Sequence, residues 1–256
     1  MPNTVLEKAT AGVKTLGAFV NLSTTASVEV LALAGLDYVI IDTEHGPYDI
    51  DKATELIIAC EARGITPFAR VRAIERPAIL KLLDAGAKGL IIPYLKSVDE
   101  AKKIVAWGKY RPIGDRGFGT TRSASYGYGQ ERAGGIMEFF AKMNAENLLI
   151  PQCETMECLN TIEEVAAVEG IDGIFIGPYD LSISMGVAGQ FDHPQMLSAY
   201  ARVLSATKAA DKLCYILATN PTDAIAKLSQ GFDGVVATDI GFLRSGAEAY
   251  LQGVLS

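Results

Sequence analysis

Charged and amide side chains lie at the ends of short apolar segments, and these side chains are the candidates for catalysis and ligand binding. They are Asp42, Glu44, His45, Arg70, Gln152, Glu154 and Asp180. Carboxylates that converge suit a hard divalent cation, and an imidazole beside them suits proton transfer near neutral pH. The combination predicts metal-assisted acid–base catalysis on a small molecule.

The two carboxylates that we predict to bind a metal ion are Glu154 and Asp180. Their mutual repulsion would be relieved by a cation, and an oxygen-rich site with few protein ligands suits Mg²⁺ or Mn²⁺, which keep open positions for substrate. Each carboxylate could instead cap a helix, because Glu154 precedes a helical run and Asp180 precedes LSIS.

His45 follows Asp42 by three residues at the end of the same apolar run. A carboxylate that orients an imidazole would make it a general base, although a structural histidine in a turn fits the same spacing. Arg70 ends a run of Pro, Phe and Ala, where an unpaired guanidinium would cost several kcal/mol. It therefore needs a substrate oxyanion or an ion pair with Glu44 or Asp42.

The glycine-rich segment GDRGFGTTRSASYGYG begins at Gly114 and lacks the strand and helix that a nucleotide-binding loop requires. We expect a mobile loop over the active site, from which Arg122 or Tyr126 could reach substrate; a solvated loop without a role is the alternative. Lys96 stands in a polar context, so we expect a solvated lysine and not a Schiff-base lysine.

Eight apolar, strand-like runs alternate with amphipathic helical stretches along the chain, and this order predicts a parallel sheet covered by helices. The runs begin at Leu16, Tyr38, Thr66, Gly89, Leu148, Gly173, Leu213 and Gly234. Eight such units close a (β/α)8 TIM barrel, and we expect residues 1–256 to form one barrel domain. A doubly wound open sheet is the alternative, but LGAFVNLSTTAS lacks its glycine-rich turn.

The amino-acid composition limits the classes of protein to which this chain could belong. The chain has 49% hydrophobic residues and a net charge of -7, which favours a large core and disfavours a nucleic-acid partner. Its four cysteines show no metal-finger or disulfide spacing, its first residues have no apolar signal region, and no run is long enough to span a membrane. We expect a soluble, cytoplasmic protein with reduced thiols.

Six segments together resemble the HpcH/HpaI family of class II pyruvate aldolases over nearly the whole chain. They are DTEHGPYD from Asp42, FARV around Arg70, LLDAGAKGLIIPYL, YRPIGDRGFG, PQCET around Glu154 and GIFIGPYDLSISMG through Asp180. The resemblance implies reversible aldol cleavage of 4-hydroxy-2-keto acids to pyruvate and an aldehyde, through an enolate held by a divalent metal and Arg70. Mg²⁺, Mn²⁺ and Co²⁺ are all compatible with it.

The resemblance also implies a role for each site residue. Glu154 and Asp180 would ligate the metal, Arg70 would contact the keto oxygen, and His45 with Asp42 would move protons through a metal-bound water. The bound keto acid would lie beside Gln152, Gly177, Pro178, Tyr179 and Asp180, with its carboxylate at the backbone amides near the last two. Many relatives have Trp in the first strand, where this chain reads GAFVNL, so the aldehyde preference is open.

Three alternatives remain at this stage: an oxaloacetate decarboxylase, a coenzyme-A-ester lyase, and a non-catalytic barrel that binds a keto acid. The acidic composition does not favour coenzyme A, whose phosphates need a basic surface. The family resemblance implies a homo-oligomer, and we expect a hexamer in which the carboxyl-terminal helix AEAYLQGVL packs against a neighbour.

Overall fold

The computed structural model describes residues 2–255, apart from the side chains of residues 130 and 131. Within that range, every strand begins within one residue of its predicted start. The eight strands are β1 (Thr15–Val20), β2 (Tyr38–Asp42), β3 (Thr66–Arg70), β4 (Gly89–Ile92), β5 (Leu148–Cys153), β6 (Gly173–Ile176), β7 (Leu213–Leu217) and β8 (Gly234–Thr238). Most end two or three residues earlier than the apolar runs suggest, because the last polar residues leave the ladder at the rim.

All neighbouring strands are parallel, and β8 pairs with β1 to close the sheet in the order β1 to β8. The predicted (β/α)8 TIM barrel is therefore confirmed. The pairing register places Asp42 of β2 beside Arg70 of β3. Parallel strands bring their carboxyl ends to one rim, so the polar residues that end them share one face of the molecule.

Helices connect the strands and cover the barrel. They are α1 (Thr4–Thr10), α2 (Thr25–Leu33), α3 (Ile50–Arg63), α4 (Arg76–Ala85), α5 (Val98–Gly108), α6 (Tyr128–Arg132), α7 (Ile136–Glu146), α8 (Met156–Asn160), α9 (Ile162–Ala166), α10 (Pro178–Ser184), α11 (Pro194–Ala209), α12 (Pro221–Gln230) and α13 (Asp239–Leu255). Gly64 and Gly86 end α3 and α4 with φ of 74° and 113°, a left-handed conformation that glycine adopts without steric cost.

Two apolar layers hold the barrel together. The larger lies between the strands and the surrounding helices and contains Cys153, so this thiol points away from the barrel interior. The smaller fills the interior with rings such as Phe68, Phe175 and Tyr215, and Val5 of α1 packs against it. Because α1 closes the amino end of the barrel, only the carboxyl end is open to a substrate.

The glycine-rich segment lies at the amino end, so its expected position over the active site is wrong. Arg122 pairs with Glu61 near the end of α3 and donates to the Ala85 carbonyl at the end of α4. Helices α3 and α4 end just before β3 and β4 begin, which places these contacts at the amino ends of the strands. The segment belongs to the α5–β5 connection, and it must start and finish at that face.

No helix within residues 2–255 is long and apolar enough to cross a membrane. The four cysteines are buried free thiols.

Candidate active site

The end of β2 and the end of β3 meet in a buried ion pair. The Asp42 carboxylate accepts hydrogen bonds from Arg70 Nε at 2.9 Å and Arg70 Nη2 at 2.6 Å. It also accepts from the side chain of Asn21 and from the backbone N–H groups of Glu44 and His45. Burial alone would raise the pKa of Asp42, but the hydrogen bonds and charge of Arg70 outweigh it, so the pKa is lowered.

Arg70 is held from three sides. Its Nη1 lies 3.2 Å from Glu44 Oε2, and its guanidinium stacks 4.7 Å from the ring centroid of Phe19. Burial favours the neutral form of Arg70, yet the hydrogen bonds and charges of Asp42 and Glu44 raise its pKa overall. A guanidinium has five N–H donors and three are used here, so two remain for a ligand.

Glu154 follows β5 and is 4% exposed. Its Oε1 accepts from the backbone N–H of Tyr94 at 2.6 Å, and its Oε2 accepts from Gln152 Nε2 at 2.7 Å. Burial, aided by the nearby carboxylates of Asp180 and Glu44, raises the pKa of Glu154 to about 7, although the Tyr94 N–H and Arg70 act in the opposite direction. Burial likewise raises the pKa of Glu44. The site therefore brings four carboxylates, those of Asp42, Glu44, Glu154 and Asp180, together with one guanidinium.

This arrangement fits a divalent cation. The Gln152 Oε1 atom is buried without a hydrogen-bond partner in the described structure, so the space beside Glu154 has an unused oxygen as well as excess negative charge. A Cβ atom on Gly177 would lie 2.4 Å from Glu154 Oε2, so glycine keeps that carboxylate clear. Within residues 2–255 no group of three or more His, Cys, Asp or Glu side chains is placed so that it could hold a metal ion.

Asp180 stands in the first turn of α10, directly after β6, with an exposed side chain. The chain enters this helix through Gly177 and the buried Pro178, whose fixed φ suits a first helical position. Tyr179 is 55% exposed and packs edge-on against Phe191 at 4.7 Å between ring centroids. The predicted residues of this segment therefore lie together at the carboxyl end of the barrel.

His45 also lies at this end, but it is not paired as we expected. Among the described residues, no hydrogen bond joins its ring to Asp42; the contact runs from the backbone N–H of His45 to Asp42 Oδ1 at 3.2 Å. Its side chain is exposed. The expectation that Asp42 orients the imidazole is wrong for this conformation, because both Asp42 oxygens are taken by Arg70 and the backbone.

The sequence gives no indication of two contributors to the site, Phe19 and Tyr94, and only part of the role of a third, Glu44. Glu44 was considered only as an ion-pair partner, although its position two residues after Asp42 could have indicated a second carboxylate on the same face. Phe19 and Tyr94 gave no signal, because stacking on Arg70 and a backbone hydrogen bond depend on the tertiary fold.

The chain is similar to known proteins in both sequence and structure. A family model described as HpcH/HpaI aldolase/citrate lyase matches residues 15–242. A 5-keto-4-deoxy-D-glucarate aldolase of Citrobacter koseri is 33% identical, with 91% of this chain and 89% of the relative covered. A solved HpcH/HpaI aldolase/citrate lyase family protein from Burkholderia cenocepacia is 30% identical with a TM-score of 0.90, covering 99% of this chain and 100% of the other. The solved citrate synthase SbnG is 28% identical with a TM-score of 0.87, covering 97% and 96%.

Proposed function

Because this chain belongs to the HpcH/HpaI aldolase/citrate lyase family, we propose that its barrel cleaves 4-hydroxy-2-keto acids reversibly to pyruvate and an aldehyde. The family and the named relatives make it a class II pyruvate-type aldolase, a carbon–carbon lyase. The observation that carries the proposal is the buried Glu154 carboxylate, whose pKa is raised to about 7 beside Asp180 and near Arg70, which keeps two unused N–H donors.

Glu154 and Asp180 are the proposed ligands of a divalent cation, with Mg²⁺, Mn²⁺ and Co²⁺ as the candidates. The family is a group of metal-dependent aldolases and lyases. When bound, such an ion would withdraw charge from the keto group of the substrate and so acidify the adjacent carbon. Gln152 donates to Glu154 and thereby fixes the orientation of that carboxylate, while its own Oε1 atom has no hydrogen-bond partner among the described residues.

Arg70 and His45 are the proposed groups for charge and proton movement. In the cleavage direction the C4 hydroxyl loses its proton, the C3–C4 bond breaks, and its electron pair forms an enolate at C2 and C3. The two unused N–H donors of Arg70 suit the enolate oxygen, where negative charge develops. His45 is exposed at the site entrance, where it can take up the hydroxyl proton and return a proton to C3.

The substrate would enter at the carboxyl end of the barrel. Gly177 leaves the Glu154 carboxylate uncovered, and Tyr179 presents an exposed ring on α10. The backbone amides of Tyr179 and Asp180 are the proposed contact for the keto acid carboxylate, since they lie in the first turn of α10, where amides have no partner within the helix.

The test is a screen for released pyruvate from a panel of 4-hydroxy-2-keto acids with Mg²⁺, Mn²⁺ or Co²⁺. We expect cleavage that stops in chelator and returns with added metal, together with metal-dependent deuterium exchange at the pyruvate methyl group. Full activity in exhaustive chelator would contradict the metal proposal. Decarboxylation of oxaloacetate without aldol cleavage would favour the decarboxylase, and the absence of exchange would favour a passive binder.

We further propose a homo-oligomer, with a hexamer as the expected assembly. Helix α13 is exposed along almost its whole length, including Phe242, Leu243 and Leu251. The outer faces of α2 and α12 are also uncovered at Leu33, which is 76% exposed, and Ile225, which is 66% exposed. Apolar faces of this kind fit α13 of another copy. Light scattering should give a multiple of the 27.3 kDa chain mass, and a monomer would overturn this proposal.

A cytoplasmic location is proposed from the thiols, since all four cysteines are free and buried, as expected where disulfides do not form.

A further inference from the structure

Asn21, the residue directly after β1, connects two buried carboxylates at the carboxyl end of the barrel. Its side-chain Nδ2 donates to Asp42 Oδ2 at 3.3 Å, and its backbone N–H donates to Asp239 Oδ2 at 3.0 Å. Asp42 and Asp239 are buried, whereas Asn21 itself is half-buried. Asn21 therefore joins the first residue of α13 to the carboxylate that pairs with Arg70.

The backbone of Asn21 is fixed by Asp239. The Oδ2 atom of Asp239 also accepts from the Leu22 N–H at 2.9 Å, and its Oδ1 atom accepts from the Ile240 N–H at 2.7 Å. Asp239 is the one buried residue of α13. Because hydrogen bonds from backbone N–H groups to a carboxylate are strong, they hold the turn between β1 and α2 and give the Asn21 side chain a fixed starting point.

The strand register places Asn21 in line with the ion pair. Val20 of β1 pairs with Ile41 of β2, and Asp42 of β2 pairs with Arg70 of β3. Asn21, Asp42 and Arg70 therefore lie side by side across three neighbouring strands, each where its strand ends. Neighbouring strands are about 4.8 Å apart, a separation that suits a hydrogen bond between short side chains.

The two oxygens of Asp42 are held differently. Oδ1 accepts from two backbone N–H groups as well as from Arg70 Nε. Among the described residues, Oδ2 accepts only from Arg70 Nη2 at 2.6 Å and from Asn21. The last torsion of an aspartate side chain has a broad distribution, so each carboxylate oxygen takes the position that its partners impose. Asn21 is thus the one group besides Arg70 that fixes Oδ2, and Oδ2 sets the position of Arg70 Nη2.

We propose that Asn21 is a positioning residue for catalysis: by holding Asp42 Oδ2, it keeps the Arg70 guanidinium in the orientation that offers its two unused N–H donors to the enolate oxygen. This inference rests on the proposed aldolase function and adds a residue to it. Donors that are aligned in advance stabilise the charge that develops in the transition state more than they stabilise the bound substrate. Loss of the Asn21 amide should therefore lower kcat for enolisation and leave KM for pyruvate nearly unchanged.

The test is the rate of metal-dependent deuterium exchange at the pyruvate methyl group. Asn21→Leu keeps the size of the side chain and removes the donor, and it should lower kcat by about 5- to 20-fold with KM within about 2-fold of the parent value. Asn21→Asp keeps the shape, and its new carboxyl group repels Asp42 when ionised but donates to Asp42 Oδ2 when protonated. The ratio of its kcat to the parent kcat should therefore rise as pH falls from about 8 to about 5.5, and the same ratio for Asn21→Leu should stay flat.

Asn3→Leu is the matched control. Asn3 is buried at the amino end of the barrel, where its side chain donates to the carbonyls of Lys88 at 3.2 Å and Glu146 at 2.7 Å, so its loss should lower stability and leave kcat at the parent value. A parent kcat in folded, metal-loaded Asn21→Leu, a flat pH ratio in Asn21→Asp, or an equal fall of kcat in Asn3→Leu would overturn the inference alone. If Asn21→Leu does not fold, the pH ratio of Asn21→Asp decides. A parent protein without metal-dependent exchange would overturn the proposed function and this inference with it.

Discussion

Both ends of the barrel contain buried charged side chains, but the two ends differ in whether each buried charge has an opposite charge beside it. At the amino end, Lys109 Nζ lies 2.8 Å from Asp172 Oδ2 and donates to the carbonyls of Asn144 and Asn147 at 2.7 Å each. At the carboxyl end, Glu154 receives two hydrogen bonds from uncharged donors and faces two further carboxylates. The Lys109–Asp172 pair has its opposite charge in place, and the Glu154 carboxylate does not.

This contrast separates a structural charge from a functional one. Burial lowers the pKa of Lys109 and raises that of Asp172, but each group has an opposite charge and further hydrogen bonds in place. A buried charge whose partners are all present stabilises one specific structure. Buried like charges that lack an opposite charge repel each other, and a bound cation would relieve that repulsion. Mutations of charged residues at the amino end should therefore lower the stability of the protein, and mutations at the carboxyl end should lower its catalytic activity.

The largest effect that we predict is on catalysis at the carboxyl end. His45→Ala should slow deuterium exchange at the pyruvate methyl group by about 10²- to 10⁴-fold, the usual contribution of a positioned base, without changing the unfolding midpoint. His193 is the other histidine and caps α11 through Gln195 N, so His193→Ala is the matched control and should exchange at the parent rate. Parent-rate exchange in folded, metal-loaded His45→Ala would place the base elsewhere.

The corresponding effect at the amino end is on stability. Lys109→Met leaves Asp172 and two buried carbonyls without their cation, and it should lower the free energy of unfolding in urea by about 3–5 kcal/mol. Any protein that remains folded should keep the parent kcat/KM. Lys102→Met removes an exposed lysine that is 3.9 Å from Asp99, so a change below about 0.5 kcal/mol is expected there. Equal losses in the two variants would remove the distinction between buried and exposed cations.

Next comes the pH dependence of the metal-free protein. The folded pKa of Glu154, about 7 against an ordinary 4.5, means that the folded state holds the proton more tightly. Its contribution to stability is complete below about pH 4.5 and is lost as pH rises through about 7, a cost of about 3 kcal/mol. Urea unfolding from pH 5 to 8 should show this loss in the parent and not in Glu154→Gln. Added Mg²⁺ should restore the stability of the parent protein at pH 8. If the stability of the parent and of Glu154→Gln changed with pH in parallel, the raised pKa would not belong to Glu154.

The smallest effect concerns the glycine-rich segment at the amino end. Arg122→Gln removes a partly exposed ion pair with Glu61, and it should cost about 1 kcal/mol of stability while leaving kcat/KM within about 2-fold of the parent. Thermal unfolding measures the loss of stability, and the rate of pyruvate release measures kcat/KM. A much larger loss of activity in an intact oligomer would mean that this segment serves the site of a neighbouring copy.

The sequence by itself determined the barrel and most of the site's membership. Alternation of apolar runs and amphipathic helices predicts the (β/α)8 order, because each strand must be covered by the helix that follows it. The polar residues that end these runs could be assigned to one rim from the parallel topology alone. The positions of Glu154, Asp180 and Arg70 at the carboxyl ends of the strands follow from the sequence in this way.

Only the tertiary structure decided which of these residues touch. The two oxygens of Asp42 can serve a limited number of donors, and the β2–β3 register gives them to Arg70 and not to the imidazole of His45. The raised pKa of Glu154 depends on burial and on charges that arrive from β2 and α10, which are distant in sequence. The amino-end position of Arg122 follows from the topology, because its segment connects α5 to β5, and only its contacts with Glu61 and the Ala85 carbonyl depended on the tertiary structure.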